Sequence, residues 1–233
     1  MFVNIKLKSK LVVIWTAILI ILIGVIITLI TTVKKKVYGE KIVLKDNKLN
    51  ITSYYLEADV TVISNKNINT YNLKEWYKEG VGNKFVFLDS TKNETQIITN
   101  QNECYIKNNA NKAEIKTENL YEKSNILSLS TFIDMYNTKN SCSCKKEVYS
   151  KEESINITVN ICGAPYCENL HLFNQMKIKK MELTIKNNLP NIYVAYDINN
   201  KEYIYIVYNN VETNMQLQEN VFNINGIGDG SIK

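Results

Sequence analysis

Arginine is missing from this chain: all 28 of its Lys-plus-Arg residues are lysine. The planar fork that reads phosphate with two parallel hydrogen bonds is therefore absent. Glycine is scarce, at 8 residues, and Gly226, Gly228 and Gly230 fall at the C-terminal end. Little glycine is left for a phosphate-cradling loop, and no G-x-S-x-G turn occurs. His171 is the single histidine. General acid–base work by histidine needs an orienting partner, and the sequence offers none. The expectation is a protein without catalytic residues, cofactor or metal.

Charge narrows the partners. The net charge is +5, yet Lys6, Lys8, Lys10, Lys34, Lys35, Lys36 and Lys41 all lie in the first 41 residues. Beyond Lys41 there are 21 lysines against 22 acidic residues. Nucleic-acid binding needs a basic face, so no nucleic-acid partner is expected.

What is present begins with Leu11–Val33, 23 residues without a charge. About 20 apolar residues cross a bilayer as a helix. The run is too long for the core of a cleaved signal peptide, and no A-x-A site follows it. It holds no cysteine for lipid attachment. An uncleaved signal anchor is expected, with residues 1–10 cytoplasmic and the C-terminal domain extracytoplasmic. Residues 34–53 read as a linker, 54–225 as one domain and 226–233 as a flexible tail.

From Tyr54 the pattern alternates as strands do, with turns every 8–12 residues. Tyr54–Ser64 and Asn69–Tyr77 form an opening hairpin. Lys84–Asp89, Thr95–Thr99, Cys104–Lys107 and Ala113–Thr117 follow. The period then changes: Leu129, Phe132, Ile133 and Tyr136 stand at helical spacing within Asn125–Asn137. Strands resume at Lys145–Ser150, Ser154–Cys162, Lys177–Ile185, Asn191–Asp197 and Glu202–Glu212. The opening hairpin offers Tyr71, Lys74, Glu75 and Tyr77 as a candidate partner surface, subject to its register.

Four of the five cysteines cluster, as Cys142 with Cys144 and Cys162 with Cys167. As zinc ligands this spacing fits no common finger. Disulfides suit it better, with free thiols as the alternative. A direct Cys142–Cys144 bond is strained by sulfur geometry. A bridge across the 145–162 hairpin is expected, with the pairing open. Cys104 is expected to be free and buried.

The order "SYYLEADVTVISNKNINTYNLKEWY", "QIITNQNECYIKNN", "LSLSTFIDMY" and "MELTIKNNLPNIYVAYDINNKEYIYIVYNNVETN" resembles the LolA-like lipoprotein-carrier superfamily. Within it the likeness is to the GerS germination lipoproteins of spore-forming clostridia, over roughly residues 50–225. The resemblance implies a mainly β (α+β) fold: a strongly curved, incompletely closed antiparallel β-barrel with a helical lid. Here one transmembrane helix would precede it. The resemblance also implies a non-enzymatic partner of a cell-wall amidase that modifies the spore cortex. The alternative it implies is a lipid-binding or lipid-sensing protein fixed to the membrane. Germination lipoproteins carry a lipidated cysteine, which this chain replaces with Leu11–Val33.

Overall fold

A computed structural model describes residues 3–43, 48–63, 67–100, 104–108, 113–114, 127–137, 144–161 and 178–223. Helix α1 (Val3–Tyr38) contains the whole apolar run. Its stretch Ile18–Lys36 is long and apolar enough to cross a membrane, and none of it is buried against the rest of the chain.

The remaining elements build one antiparallel sheet. Strands β1 (Glu40–Lys41), β2 (Ser53–Ile63), β3 (Ile68–Lys78), β4 (Gly82–Asp89), β5 (Glu94–Asn100), β6 (Cys104–Asn108) and β7 (Ala113–Glu114) come first. Helix α2 (Leu129–Asn137) intervenes. Then come β8 (Cys144–Lys151), β9 (Ser154–Ile161), β10 (Ile178–Lys186), β11 (Leu189–Asp197) and β12 (Glu202–Thr213), and a 3-10 turn at Glu219–Phe222. The sheet order is β1-β8-β9-β10-β11-β12-β2-β3-β4-β5-β6-β7. Two meanders are therefore joined where β12 returns beside β2, and the sheet stays open, with β1 and β7 at its ends.

Turn chemistry sets several hairpins. Asn187 and Asn188 both take positive φ, at 53° and 64°, which suits the two-residue turn between β10 and β11. Asp89 accepts the amides of Thr91 and Asn93 at 2.8 and 2.9 Å and closes the β4–β5 turn. The Thr91 hydroxyl, which also donates to it at 2.7 Å, and then these amides hold its exposed carboxyl below the usual range. Asp197 does the same before β12, accepting from Asn199 and Lys201.

The sheet must curl. Twelve flat strands would span roughly 50 Å at about 4.8 Å each. Yet nine-residue α2, roughly 14 Å long, reaches with the residue before it strands seven places apart in the sheet order, β8 and β4. The helix meets β8 through Lys146 and β11 through Tyr193, and Ser128, just before its first residue, meets β4 through Asn83. Leu129, Phe132, Ile133 and Tyr136, the four predicted from helical spacing, are all buried. They close over Leu56, Leu73, Phe85, Ile157, Leu183 and Tyr193, each at most 2% exposed. The expected fold class, a mainly β open antiparallel sheet with a covering helix and an N-terminal apolar helix, is the one observed.

Two details differ from expectation. The helix begins at Leu129, with Leu127 and Ser128 already outside it, because Ser128 serves as its cap. The stretch after the apolar run is not merely a connector: Glu40 and Lys41 pair with Ser150 and Tyr149 as a short edge strand.

Candidate binding surface

The opening hairpin has a single unshifted register from Ser53↔Lys78 to Ile63↔Ile68. That register fixes both faces. Leu56, Glu75, Phe85 and Ile97 stand in one row across β2 to β5, and Leu56, Phe85 and Ile97 are core residues. Glu75 is therefore on the inner face, at 0% exposure, and is no part of an outward surface. This corrects the expectation from sequence. Tyr71 and Tyr77 also pack against the core, and Tyr77 stacks on Tyr54 with ring centres 5.1 Å apart. Of the four expected surface residues only Lys74 points outward, where it pairs with Glu57 at 3.0 Å.

Burying Glu75 is costly unless its oxygens are satisfied. Tyr54 and Asn83 flank it on the neighbouring strands, and Ser128 lies above it. The Tyr54 hydroxyl donates to Oε1 at 2.5 Å, Ser128 at 2.5 Å and the Asn83 amide at 3.0 Å. The Leu129 amide, first in α2, reaches Oε2 at 3.4 Å. Ser130 N–H donates to the Tyr54 hydroxyl at 2.8 Å and to the Ser128 hydroxyl at 3.1 Å. One carboxyl from β3 thus ties down the orphan amides of a helix end. Burial pushes the Glu75 carboxyl up, while the bonds from Ser128, Tyr54, Asn83 and Leu129 pull it back. Burial, and then Glu75 itself, pushes the Tyr54 phenol well up. Close by, Asn83 Oδ1 and the Tyr208 hydroxyl are buried without a hydrogen-bond partner among the described residues.

The other end of α2 is tied as firmly. Lys146 from β8 donates to the Tyr136 carbonyl at 2.6 Å. The Asn137 side chain pairs in both directions with the Leu49 backbone, at 2.8 and 2.9 Å. Among the described residues, α2 is thus held by side-chain hydrogen bonds at both ends over the buried apolar residues of the inner face.

The outward face carries different residues. Tyr55, Trp76 and Lys84 lie in one cross-strand row. The Tyr55 and Trp76 rings are 4.9 Å apart, and Lys84 Nζ sits 5.2 Å from the Trp76 ring centre. Burial pushes the Lys84 ammonium down. The neighbouring rows hold Glu57 with Lys74, then Asp59 bonded to Asn72 and Asn209. This is an amphipathic surface of aromatic bodies and polar tips, with one half-buried cation. A groove of about 650 Å³ opens at the end of β2 and β3, lined by Thr52, Ser53, Lys78, Glu79 and residues 214–218. Its walls are mostly polar. Among the described residues no group of His, Cys, Asp and Glu could hold a metal ion.

Residues 9–222 match the family model described as sporulation protein YdcC-like. The chain belongs to that family. No curated protein matches the sequence. Among solved structures, an uncharacterized conserved protein from Thermus thermophilus is 11% identical, with a TM-score of 0.44 over 76% of this chain and 86% of its own. A LolA superfamily protein from Nitrosomonas europaea is 8% identical, TM-score 0.41, over 77% and 94%. A chain of the Pseudomonas aeruginosa MucA/MucB complex is 10% identical, TM-score 0.38, over 73% and 55%.

Sequence reasoning missed Tyr55, Trp76 and Lys84 on the outer face of this YdcC-like chain. The signal was present. Leu73 is the one aliphatic residue of β3 between Asn69 and Lys78, and every residue two places from it shares its face. Placing Leu73 inside sends Trp76 out. Cys142, Cys162, Cys167 and His171 lie outside the described residues. Cys144 opens β8 opposite Ile161. Cys104 is free and half-buried rather than buried, and burial pushes its thiol up.

Proposed function

We propose that this chain is a membrane-anchored, non-enzymatic scaffold of sporulation. In this reading its domain lies outside the cytoplasmic membrane and binds a cell-wall amidase that remodels the spore cortex for germination. The observation that carries the scaffold reading is the clamping of α2 at both ends over buried apolar residues of the inner face. A carrier's lid must open to admit an acyl chain. Here opening strands the Glu75 carboxyl and its donors without partners. Binding then falls to the outward face around Tyr55, Trp76 and Lys84, a composition that suits protein contact. The amidase rests on the GerS-like residue order, and the sporulation setting on the family.

The test is recovery of the full chain from sporulating cells with its bound partners, alongside a Trp76→Ala form. The scaffold reading expects a cell-wall amidase with the parent chain, weakened about tenfold or more by loss of an aromatic anchor. Recovery of stoichiometric phospholipid or lipoprotein in its place, unaffected by Trp76→Ala, supports the lipid-binding alternative.

A further inference from the structure

The junction between α1 and the sheet has almost no slack. α1 ends at Tyr38, and Glu40 is already paired with Ser150. Lys41 pairs with Tyr149, and the Ile42 amide donates to the Val148 carbonyl at 3.0 Å. Only Gly39 lies between. Its amide closes the helix on the Lys35 carbonyl at 3.0 Å, and its φ of +90° is a conformation that glycine alone adopts freely. A Cβ there would stand 2.2 Å from the Ser150 carbonyl oxygen. Gly39 therefore locks the end of the helix against β8.

This geometry fixes a height, granted the membrane anchor proposed above. From Lys34 to Tyr38 the helix runs about 7–8 Å beyond the apolar run, at 1.5 Å per residue. The head-group layer is about 5–8 Å deep on each side. β1 and the edge of β8 then emerge at the head groups. The residues waiting there suit that layer. Lys35 and Lys36 occupy the last turn of α1, and the Lys41 side chain is 62% exposed. Val43, just past β1, is 79% exposed, the most exposed of the large apolar residues described. Glu40 and Glu147, within 3.3 and 3.6 Å of Lys35 and Lys41, temper but do not cancel the lysines.

We infer that the β1–β8 edge, with Lys34–Lys36, Lys41 and Val43, is a docking surface for anionic phospholipid head groups that stands the domain on the bilayer in one fixed orientation. Lysines beside a membrane span are drawn to anionic lipid, and the attraction weakens with salt. An exposed valine next to them can enter the interface. The outer face around Trp76 is thereby presented at a set height, which a flexible tether cannot do.

The test uses the full chain in nanodiscs of phosphatidylcholine alone or of three parts phosphatidylcholine to one of phosphatidylglycerol. A fluorescent amino acid replaces Val43, and quenching by head-group nitroxide lipids is read. Two further forms carry Gly39→Val, or Gly-Ser-Gly-Ser inserted between Tyr38 and Gly39, which keeps the Gly39 contact and adds slack. The inference expects strong quenching of the parent chain in both lipids. It expects quenching to fall at least about twofold with the insertion in neutral discs, with partial recovery in anionic discs that salt removes. Gly39→Val should behave like the insertion. A parent chain that floats with the discs but is not quenched overturns the docking surface and leaves the anchor intact. Quenching insensitive to both slack and lipid charge overturns it as well. A chain that does not float with the discs overturns the anchor, and the docking surface with it.

Discussion

Glu75 carries the most consequence of any single side chain. Replacing it by alanine leaves Tyr54, Ser128, Asn83 and the Leu129 amide facing a void, and each stranded buried group costs about 1–3 kcal/mol. Glu75→Ala should lower stability by about 3 kcal/mol or more, measured by thermal unfolding. Glu75→Gln keeps the shape and removes the charge. Burial raises the folded Glu75 pKa, so the protonated form favours folding. That contribution is whole below the ordinary carboxylate range and is lost as pH rises through the folded value. The parent chain should therefore gain stability relative to Glu75→Gln as pH falls from 7 to 4. A melting-temperature difference independent of pH would show that Glu75 does not titrate in this range. Asp89 and Asp197 have lowered values and act with the opposite sign, but they are common to both forms and cancel in the difference. Lys74→Glu replaces the exposed cross-strand pair with Glu57 by two like charges and should cost no more than about 1 kcal/mol, leaving the fold intact. Phe132→Asp places an unpaired charge in the core and should unfold the domain. The misreading of Glu75 has a physical origin. A charged residue is almost never fully buried unless paired, and its partners Tyr54 and Ser128 lie 21 and 53 residues away and meet it only through the fold.

At the scale of elements, the strands were largely legible because alternation of apolar and polar residues is a local signal. The predicted ranges Lys84–Asp89, Thr95–Thr99 and Glu202–Glu212 lie within β4, β5 and β12. The helix was legible from four apolar positions at 3.6-residue spacing, but not its start, since Ser128 caps it with help from a distant strand. β1 was illegible. Two residues carry no periodicity, and only the approach of β8 makes them a strand. What α2 does was equally hidden, because an amphipathic pattern says that a helix is covered and not how it is fastened. Fastening at both ends has a measurable consequence. Amide hydrogens of Ser130–Asn137 should exchange no faster than those of β2 and β3, their protection reporting global unfolding. Exchange of α2 well ahead of the sheet would mean that it opens as a lid. At β8 and β9, Cys144 pairs with Ile161 across the hairpin. Mass analysis without reductant should find a bridge between one of Cys142/Cys144 and one of Cys162/Cys167. Free alkylation of all four, or stoichiometric zinc, would remove that bridge from the account.

Among the described residues, the molecule is an apolar helix joined through one glycine to an open, curled sheet with a buried apolar inner face and an aromatic and lysine outer face. The sheet order across the two meanders could not be read locally, because nothing in β2 or β12 alone announces that they pair. Added protease should remove the domain from intact protoplasts and spare the N-terminal segment, with full digestion after permeabilisation. Protection of the domain in intact cells would place it on the cytoplasmic side. The central claim is that the domain works by binding an enzyme and performs no bond cleavage itself. Its most direct test is a cortex-peptidoglycan cleavage assay on the amidase recovered with the chain, with and without the full chain reconstituted in nanodiscs. The account predicts no cleavage by the chain alone, faster cleavage by the amidase in its presence, and loss of that gain with Trp76→Ala while the fold is unchanged. Cleavage of peptidoglycan or lipid by the purified chain alone would contradict it.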